Sequence, residues 1–145
     1  MTEAYVDPTR AAFDLFKSLP RDTPLNMLNL IRYRELAVYP EGHDHAGKGW
    51  TGARAYEEYG ATSAAIFERL GGQIVWRGRF EMVLTGPAEE QWDAAFIAAY
   101  PNAGAFLAMV TDPDYKLAVV NRQAAVATSR LVRFAPLGIE GVKFA

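Results

Sequence analysis

The side chain with the clearest chemical potential is an arginine that ends an apolar helical stripe. Arg122 lies seven residues after Tyr115 and three after Val119, so a helix would place all three on one buried face. A buried guanidinium needs a carboxylate, backbone carbonyl groups or an anionic ligand, because an unpaired charge in an apolar interior is too costly. Two hypotheses stay open. Arg122 anchors a ligand, or it pairs with Asp93 or Asp112 or reaches solvent.

Two polar residues interrupt apolar strand patterns and are the other candidates for catalysis. Asp93 is the only charged residue in QWDAAFIAAY, residues 91–100, and a carboxylate in apolar surroundings could move a proton. The alternative is a strand-end position or a pairing with an arginine. Asn29 lies between Met27 and Ile31 in one row of a predicted strand. A buried amide there could orient a ligand carbonyl or stabilise an oxyanion.

Aromatic side chains with a polar tip are numerous for a chain of this size. Most are expected in the core, yet a phenol or an indole also suits a pocket for a planar or carbonyl-bearing ligand. Arg77, on the polar face of its predicted strand, would line the interior of a dimer or face water. The residues predicted to contact a ligand are Tyr56, Tyr59, Trp76, Trp92 and Arg77.

The only two histidines flank an aspartate in the loop sequence GHDHAGKG. His43, Asp44 and His45 offer imidazole and carboxylate groups that suit a divalent metal. Three neighbours in a glycine-flanked loop rarely converge on one ion, so the main prediction contains no metal. Elemental analysis of the protein would test the metal hypothesis. A loop folded over a pocket could instead act as a lid.

The elements that must position these residues follow from periodicity and caps. Asp7 and Pro8 predict the start of a short helix in an N-terminal extension, residues 1–24. The domain proper is predicted over residues 25–145. Its elements are a strand over 25–34, a helix over 52–70, a hairpin of strands 73–86 and 91–100, a helix capped by Asn102, a helix capped by Asp112, and a final strand SRLVRFA.

The order β-α-β-β-α-β predicts an α+β, ferredoxin-like sandwich with an antiparallel sheet. In the second strand, alternation puts Ile74 and Trp76 on one face and Arg77 and Arg79 on the other. Helices would cover one face of the sheet, so the other face needs a cover. An apolar uncovered face predicts a homodimer that packs sheet against sheet.

Composition excludes several function classes. The 145 residues carry a net charge of −2 and no Lys/Arg cluster, which argues against nucleic-acid binding. The absence of cysteine excludes disulfides, thiolate nucleophiles and cysteine metal sites. No signal peptide or membrane span is visible, so we expect a cytoplasmic protein without a membrane partner. Motifs for nucleotides, serine nucleophiles and zinc proteases are also absent.

Several spaced features together resemble a known family. The pattern WDAAFIAAYPNAGAFLAMVTDPDY followed by an arginine, with PLNMLNLIRYRE and GARAYEEYG before it, is similar to the DUF1330 family of the dimeric α/β-barrel superfamily. The resemblance covers Pro24 to Phe134. Asn102 stands where many members carry serine, and either residue caps a helix.

The resemblance implies an architecture rather than a reaction. Two ferredoxin-like subunits would form a dimeric α/β barrel, with a pocket between sheet and helices in each subunit. Members of that superfamily include cofactor-free monooxygenases, haem-degrading enzymes, isomerases and dehalogenating or decarboxylating enzymes, and fold kinship selects none of them. The haem-degrading relatives pair an asparagine near Asn29 with a helical histidine, and no predicted helix here has one. We therefore expect no cofactor.

Two functional hypotheses remain. In the first, an aromatic-lined pocket binds a small organic ligand and catalyses cofactor-independent chemistry of a monooxygenase or isomerase type; Arg122 anchors, Asn29 orients and Asp93 moves a proton. In the second, the protein is a non-catalytic dimeric module, either ligand-sensing or structural. The second hypothesis expects Trp76, Trp92 and Phe106 to fill the pocket.

Overall fold

Residues 3–143 are described by the computed structural model, and the outer limits of the two predicted segments, at residues 1 and 145, lie outside them. In chain order the elements are α1 (Arg10–Ser18), β1 (Leu25–Tyr33), α2 (Gly52–Arg69), β2 (Gln73–Gly78), β3 (Ala94–Tyr100), α3 (Ala103–Thr111), α4 (Pro113–Ala125) and β4 (Val126–Phe134).

The four strands form one antiparallel sheet in the order β2-β3-β1-β4. With α2 between β1 and β2, and the pair α3 and α4 between β3 and β4, this is the ferredoxin-like arrangement. The predicted α+β fold class is confirmed.

The helix caps follow the sequence closely. The Asn102 side chain accepts a hydrogen bond from the Ala105 amide (2.8 Å), and the Asp112 side chain accepts one from the Asp114 amide (2.8 Å). Each cap satisfies an amide that the first helical turn leaves free. The predicted cap of α1 is wrong, because the residue that caps it is Thr9, two positions after the predicted Asp7.

The predicted hairpin is longer than the structure allows. β2 ends at Gly78 and not at residue 86, and β3 begins at Ala94 and not at residue 91. Alternation in 79–86 does not reflect pairing, because the β2–β3 register ends at the pair Gly78 and Ala95. Leu84, in this stretch, is 88% exposed. Arg79 is therefore not a strand residue.

A bulge in β2 reverses the predicted faces of its side chains. Ile74 is opposite Ala98 and Trp76 is opposite Ile97, which are neighbours on β3, so Ile74 and Trp76 point to opposite faces of the sheet. One extra residue in a strand inverts the alternation beyond it. The prediction that Ile74 and Trp76 share a face, opposite Arg77, is wrong for this reason.

One face of the sheet, here called the cavity face, is turned toward the helices and carries Met27, Asn29, Phe96, Ala98 and Leu131. The opposite face, here called the outer face, is crossed by one apolar row through all four strands. The outer row consists of Trp76, Ile97, Leu28 and Val132. Trp76 and Val132 are exposed.

The junction of β1, α2 and α4 depends on a close backbone approach at Gly52. Its amide donates to the Arg34 carbonyl (3.1 Å), and the Arg34 amide donates to the Ala125 carbonyl (2.7 Å). A Cβ atom at position 52 would overlap the Arg34 carbonyl oxygen and lie 2.9 Å from that of Ala125. This junction fixes the start of α2, which carries Tyr56 and Tyr59.

No helix within residues 3–143 is both long enough and apolar enough to cross a bilayer.

Candidate functional site

A large cavity separates the cavity face of the sheet from the helices. Its volume is about 1720 Å³, and its walls are mostly apolar side chains of β1, β3, β4, α2, α3 and α4. Pockets for drug-sized ligands are usually about 300–1,000 Å³. The space is therefore ample for an organic ligand, and the side chains that the second hypothesis expected to fill it leave it open.

The N-terminal arm, residues 3–21, lies along the open side of this cavity. It includes α1, which has no buried residue, although the Phe16 ring packs on Phe106 at 4.9 Å between centroids. Polar contacts hold its two ends: Ser129 Oγ donates to the Tyr5 carbonyl (2.7 Å), and Arg133 donates to the Pro20 carbonyl (2.7 Å). The arm is thus attached by polar contacts at its ends, and between them Phe13 and Phe16 pack against the core.

Arg122 is buried, with 8% of its surface exposed, and it lines the cavity. One terminal nitrogen donates to the Val6 carbonyl at 2.5 Å, and the other donates to Ser129 Oγ at 3.2 Å. No ion pair within residues 3–143 includes it. Asp112, a predicted partner, pairs with Arg69 at 2.8 Å. The charge therefore meets neutral oxygen atoms only.

Three tyrosines stand beside this guanidinium. The hydroxyls of Tyr59 and Tyr115 are hydrogen-bonded at 2.8 Å, and the Tyr56 and Tyr59 rings lie 5.4 Å apart. Burial raises the pKa of all three phenols, and the charge of Arg122 lowers each pKa by a smaller amount. The phenols therefore stay protonated near neutral pH and act as hydrogen-bond donors.

Asn29 faces the cavity from β1, opposite Phe96 on one side and Leu131 on the other. Its Nδ2 donates to the Met27 carbonyl at 3.0 Å, which fixes the amide plane. Within the described part of the chain no donor reaches its Oδ1. The structure thus brings Asn29, Tyr56, Tyr59 and Arg122 to one cavity.

Asp93 does not lie at this cavity. It is exposed immediately before β3, where its Oδ2 accepts a hydrogen bond from the Tyr33 amide (2.7 Å) and its own amide donates to the Ile31 carbonyl (2.7 Å). These bonds close the end of the β1–β3 ladder. The expectation that Asp93 shares a pocket or an ion pair with Arg122 is corrected, because the chain enters the sheet only after Asp93.

The remaining predicted contacts also lie elsewhere. Trp76 is on the outer face because of the bulge in β2. The strand register places Arg77 on the cavity face, but its side chain is exposed on the edge strand β2 and does not line the cavity. Trp92 is buried beneath the guanidinium of Arg130, whose Cζ is 5.4 Å from its ring. None of the three is placed to contact a ligand in the cavity.

The histidine loop forms an aromatic cluster. His43 stacks on Tyr39 at 4.7 Å, and His45 stacks on Trp50 at 4.1 Å, with Arg54 above the same indole. Across residues 3–143 no group of three ligating side chains is arranged to hold a metal. No residue of this loop lines the cavity, so the lid hypothesis is also corrected.

The sequence profile of the domain of unknown function DUF1330 matches residues 50–134. The chain belongs to the DUF1330 family. No curated protein sequence matches the chain.

Solved structures share the fold of this chain. The RPA0582 protein of Rhodopseudomonas palustris, of unknown function, is 48% identical with a TM-score of 0.86, over 94% of this chain and 99% of that one. The methylated form of RPA0582 superposes with a TM-score of 0.88 over 98% and 100% of the chains. SnoaB, a cofactor-independent oxygenase from Streptomyces nogalater, is 16% identical with a TM-score of 0.52, over 83% and 99% of the chains. The likeness to SnoaB shows the fold alone.

In this DUF1330 chain, the polar groups that converge beside Arg122 at the cavity are the guanidinium, the three phenols and the amide of Asn29. Such a set can bind a carbonyl oxygen or an oxyanion within an apolar pocket. Tyr115 belongs to this set although it was not among the predicted ligand contacts. Its position seven residues before Arg122, on the same stripe, was the available signal. The partners Val6 and Ser129 carried no sequence signal.

Proposed function

We propose that the protein binds a small organic ligand in the cavity between its sheet and its helices. The observation that carries this proposal is the convergence of Asn29, Tyr56, Tyr59 and Arg122 on one apolar cavity of about 1720 Å³. A few fixed polar groups in an apolar enclosure are the usual composition of a ligand site. The convergent side chains belong to the predicted domain, residues 25–145, and the described part of the predicted extension, residues 3–24, lies along the open side of the cavity.

In the catalytic form of this proposal, Arg122 anchors the ligand, Asn29 orients it, and the phenols donate to an oxygen that becomes negative. Fixed donors aimed at a developing charge lower a barrier without a cofactor or a metal. SnoaB, a cofactor-independent oxygenase, shares the fold and is consistent with this form. Asp93 has no role here, because it lies outside the cavity.

A non-catalytic binding or sensing module is the second candidate. The observation in its favour is that the phenols hold their protons, since burial raises the pKa of Tyr56, Tyr59 and Tyr115. The four convergent side chains therefore include no group that accepts a proton readily.

We also propose that the protein is a homodimer whose subunits pack through the outer faces of their sheets. The support is the outer row of Trp76, Ile97, Leu28 and Val132. Trp76 is 49% exposed in the single subunit, and a contiguous apolar surface of this kind is normally covered by a partner.

Thiol protection tests where the ligand binds. The chain has no cysteine, so Leu131→Cys and Ile97→Cys each introduce the only thiol. Leu131 lines the cavity and is 40% exposed, whereas Ile97 belongs to the outer row and does not line the cavity. The rate of thiol modification is measured with and without Nile red, a neutral fluorescent dye that brightens in apolar surroundings.

The proposal predicts that Nile red slows modification at position 131 and leaves the rate at position 97 unchanged. The dimer would slow modification at position 97 in a manner that depends on protein concentration and not on the dye. Fluorescent binding of Nile red without protection at position 131 would contradict the cavity as the site. Leu117→Cys, on the exposed surface of α4, supplies the rate of an unprotected thiol.

A further inference from the structure

The buried guanidinium of Arg122 is balanced by no carboxylate within the described residues. Its two partners are the Val6 carbonyl and the Ser129 hydroxyl, both neutral. Charged groups buried in proteins are normally paired with an opposite charge, because neutral dipoles compensate lost hydration only in part. A positive charge thus remains inside the molecule, at the wall of a cavity.

Other charges at the cavity do not cancel it. The charged residues of its lining are Asp7, Glu68, Arg10, Arg122, Arg130 and Arg133, four cations against two anions. Glu68 is exposed on α2, and Asp7 accepts hydrogen bonds from Gln123 at the surface. Arg10 pairs with Asp14 and Arg130 pairs with Glu90, so Arg122 is the one cation among these six residues that is buried and forms no ion pair in the described part of the chain.

Arg122 also has donors to spare. A guanidinium carries five N–H groups, whereas Arg122 donates two hydrogen bonds to protein atoms within residues 3–143. The planar fork of a guanidinium matches the two oxygens of a carboxylate. A single buried cation balances one negative charge, whereas a phosphate or a dicarboxylate would leave an uncompensated charge inside.

The rest of the cavity wall indicates the chemistry of the other end of the ligand. Rings and aliphatic chains dominate it, among them Phe67, Phe96, Phe106 and Met109. This surface attracts an apolar body, and the other cations of the lining are not buried, since Arg10 is exposed and Arg130 and Arg133 are partly exposed.

We infer that the ligand of the cavity is a monocarboxylate with a large apolar body, and that Arg122 binds its carboxylate group. This inference rests on the proposed function and specifies its ligand class. The carboxylate lies beside the Tyr59–Tyr115 pair, and the body extends between the sheet and the helices.

The experiment compares three probes of one shape: 1-pyrenebutanoate, 1-pyrenebutanol and the methyl ester of the acid. Pyrene fluorescence gives the Kd of each with the full-length wild-type protein at neutral pH. Protection of the thiol in Leu131→Cys confirms that each probe enters the cavity. A charge-assisted pair predicts that the carboxylate binds about tenfold or more tightly than either neutral probe.

Two variants assign the preference to one side chain. Arg122→Gln is expected to reduce the affinity for the carboxylate to that for the alcohol, while the Kd of the alcohol stays the same. Arg133→Gln is the matched control, because Arg133 also lines the cavity and also holds the N-terminal arm, yet it is not fully buried. It should retain the preference.

The outcomes separate the inference from the proposed function. Equal affinity of the wild-type protein for all three probes would overturn the ligand class and leave the cavity as a binding site. Loss of the preference in Arg133→Gln to the same extent as in Arg122→Gln would overturn the assignment to Arg122. Failure of every probe to bind would overturn both. The wild-type comparison is decisive even if Arg122→Gln does not fold.

Discussion

The hydrogen bond between Tyr59 and Tyr115 gives the most quantitative test of how the cavity wall is built. The two hydroxyl oxygens are 2.8 Å apart and join α2 to α4. A bond of this kind contributes about 0.5–1.5 kcal/mol net, whereas a buried hydroxyl left without its partner costs about 1–3 kcal/mol. Tyr115→Phe or Tyr59→Phe alone should therefore reduce the free energy of unfolding by about 1–2 kcal/mol.

The double variant makes this reasoning refutable. Because Tyr59→Phe with Tyr115→Phe removes both polar groups, its cost should be smaller than the sum of the single costs, with a coupling energy of about 1 kcal/mol. Urea unfolding followed by tryptophan fluorescence measures all four proteins. Tyr100→Phe is the control, because that hydroxyl has only a weak contact, 3.9 Å from Met109 Sδ. Additive single costs would show that the two hydroxyls are not bonded to each other.

Three other predictions concern the junction, the outer face and a helix cap. Gly52→Ala should reduce the unfolding free energy by about 3 kcal/mol or more because its Cβ would strike backbone, whereas Gly60→Ala, with open space around it, should raise it by about 0.5–1 kcal/mol in the same urea assay. Val132→Lys should yield a monomer by sedimentation, and Leu117→Lys, on the helical surface, should not; a Val132→Lys dimer would contradict the outer-face interface. The pKa of the Asp112 carboxyl is lowered from 3.8, first by the hydrogen bond from the Asp114 amide. The ionised carboxylate therefore stabilises the folded state fully above pH 3.8, and this stabilisation is lost as the pH falls below that value. Between about pH 5 and about pH 2, Asp112→Asn should therefore lose less stability than the wild-type protein. Equal losses would refute the stabilising role of the Asp112 carboxylate.

The fold was predictable because its main signals are local. Alternation in β1 separates Met27 and Asn29 from Leu28 without reference to any other strand. The caps Asn102 and Asp112 divide the second crossover into two helices, as predicted. Each of these features depends on residues within one turn or one strand.

The bulge in β2 was not predictable from the sequence. It has no glycine or proline signal, since residues 73–77 are all ordinary strand residues, and it exists because the register with β3 shifts between Ile74 and Trp76. Pairing of distant segments determines such a shift. It decides that Trp76 faces outward, away from the cavity.

The candidate site was predictable in part for the same reason. Arg122 and Tyr59 lie on amphipathic helices, so their inward faces could be inferred from spacing. One contact of Arg122 is with Val6, more than a hundred residues away in the chain, and no local pattern indicates it. The position predicted for Asp93 was wrong because the strand-like sequence starts at residue 91, whereas β3 itself begins at Ala94.

The central claim, that the cavity between sheet and helices binds an organic ligand, is tested most directly by a crystal structure of the protein with Nile red. The account predicts electron density for the dye between the cavity face of the sheet and α2, next to Tyr59 and Phe96. Density confined to the outer row, or to contacts between molecules, with the cavity holding only water, would contradict the account.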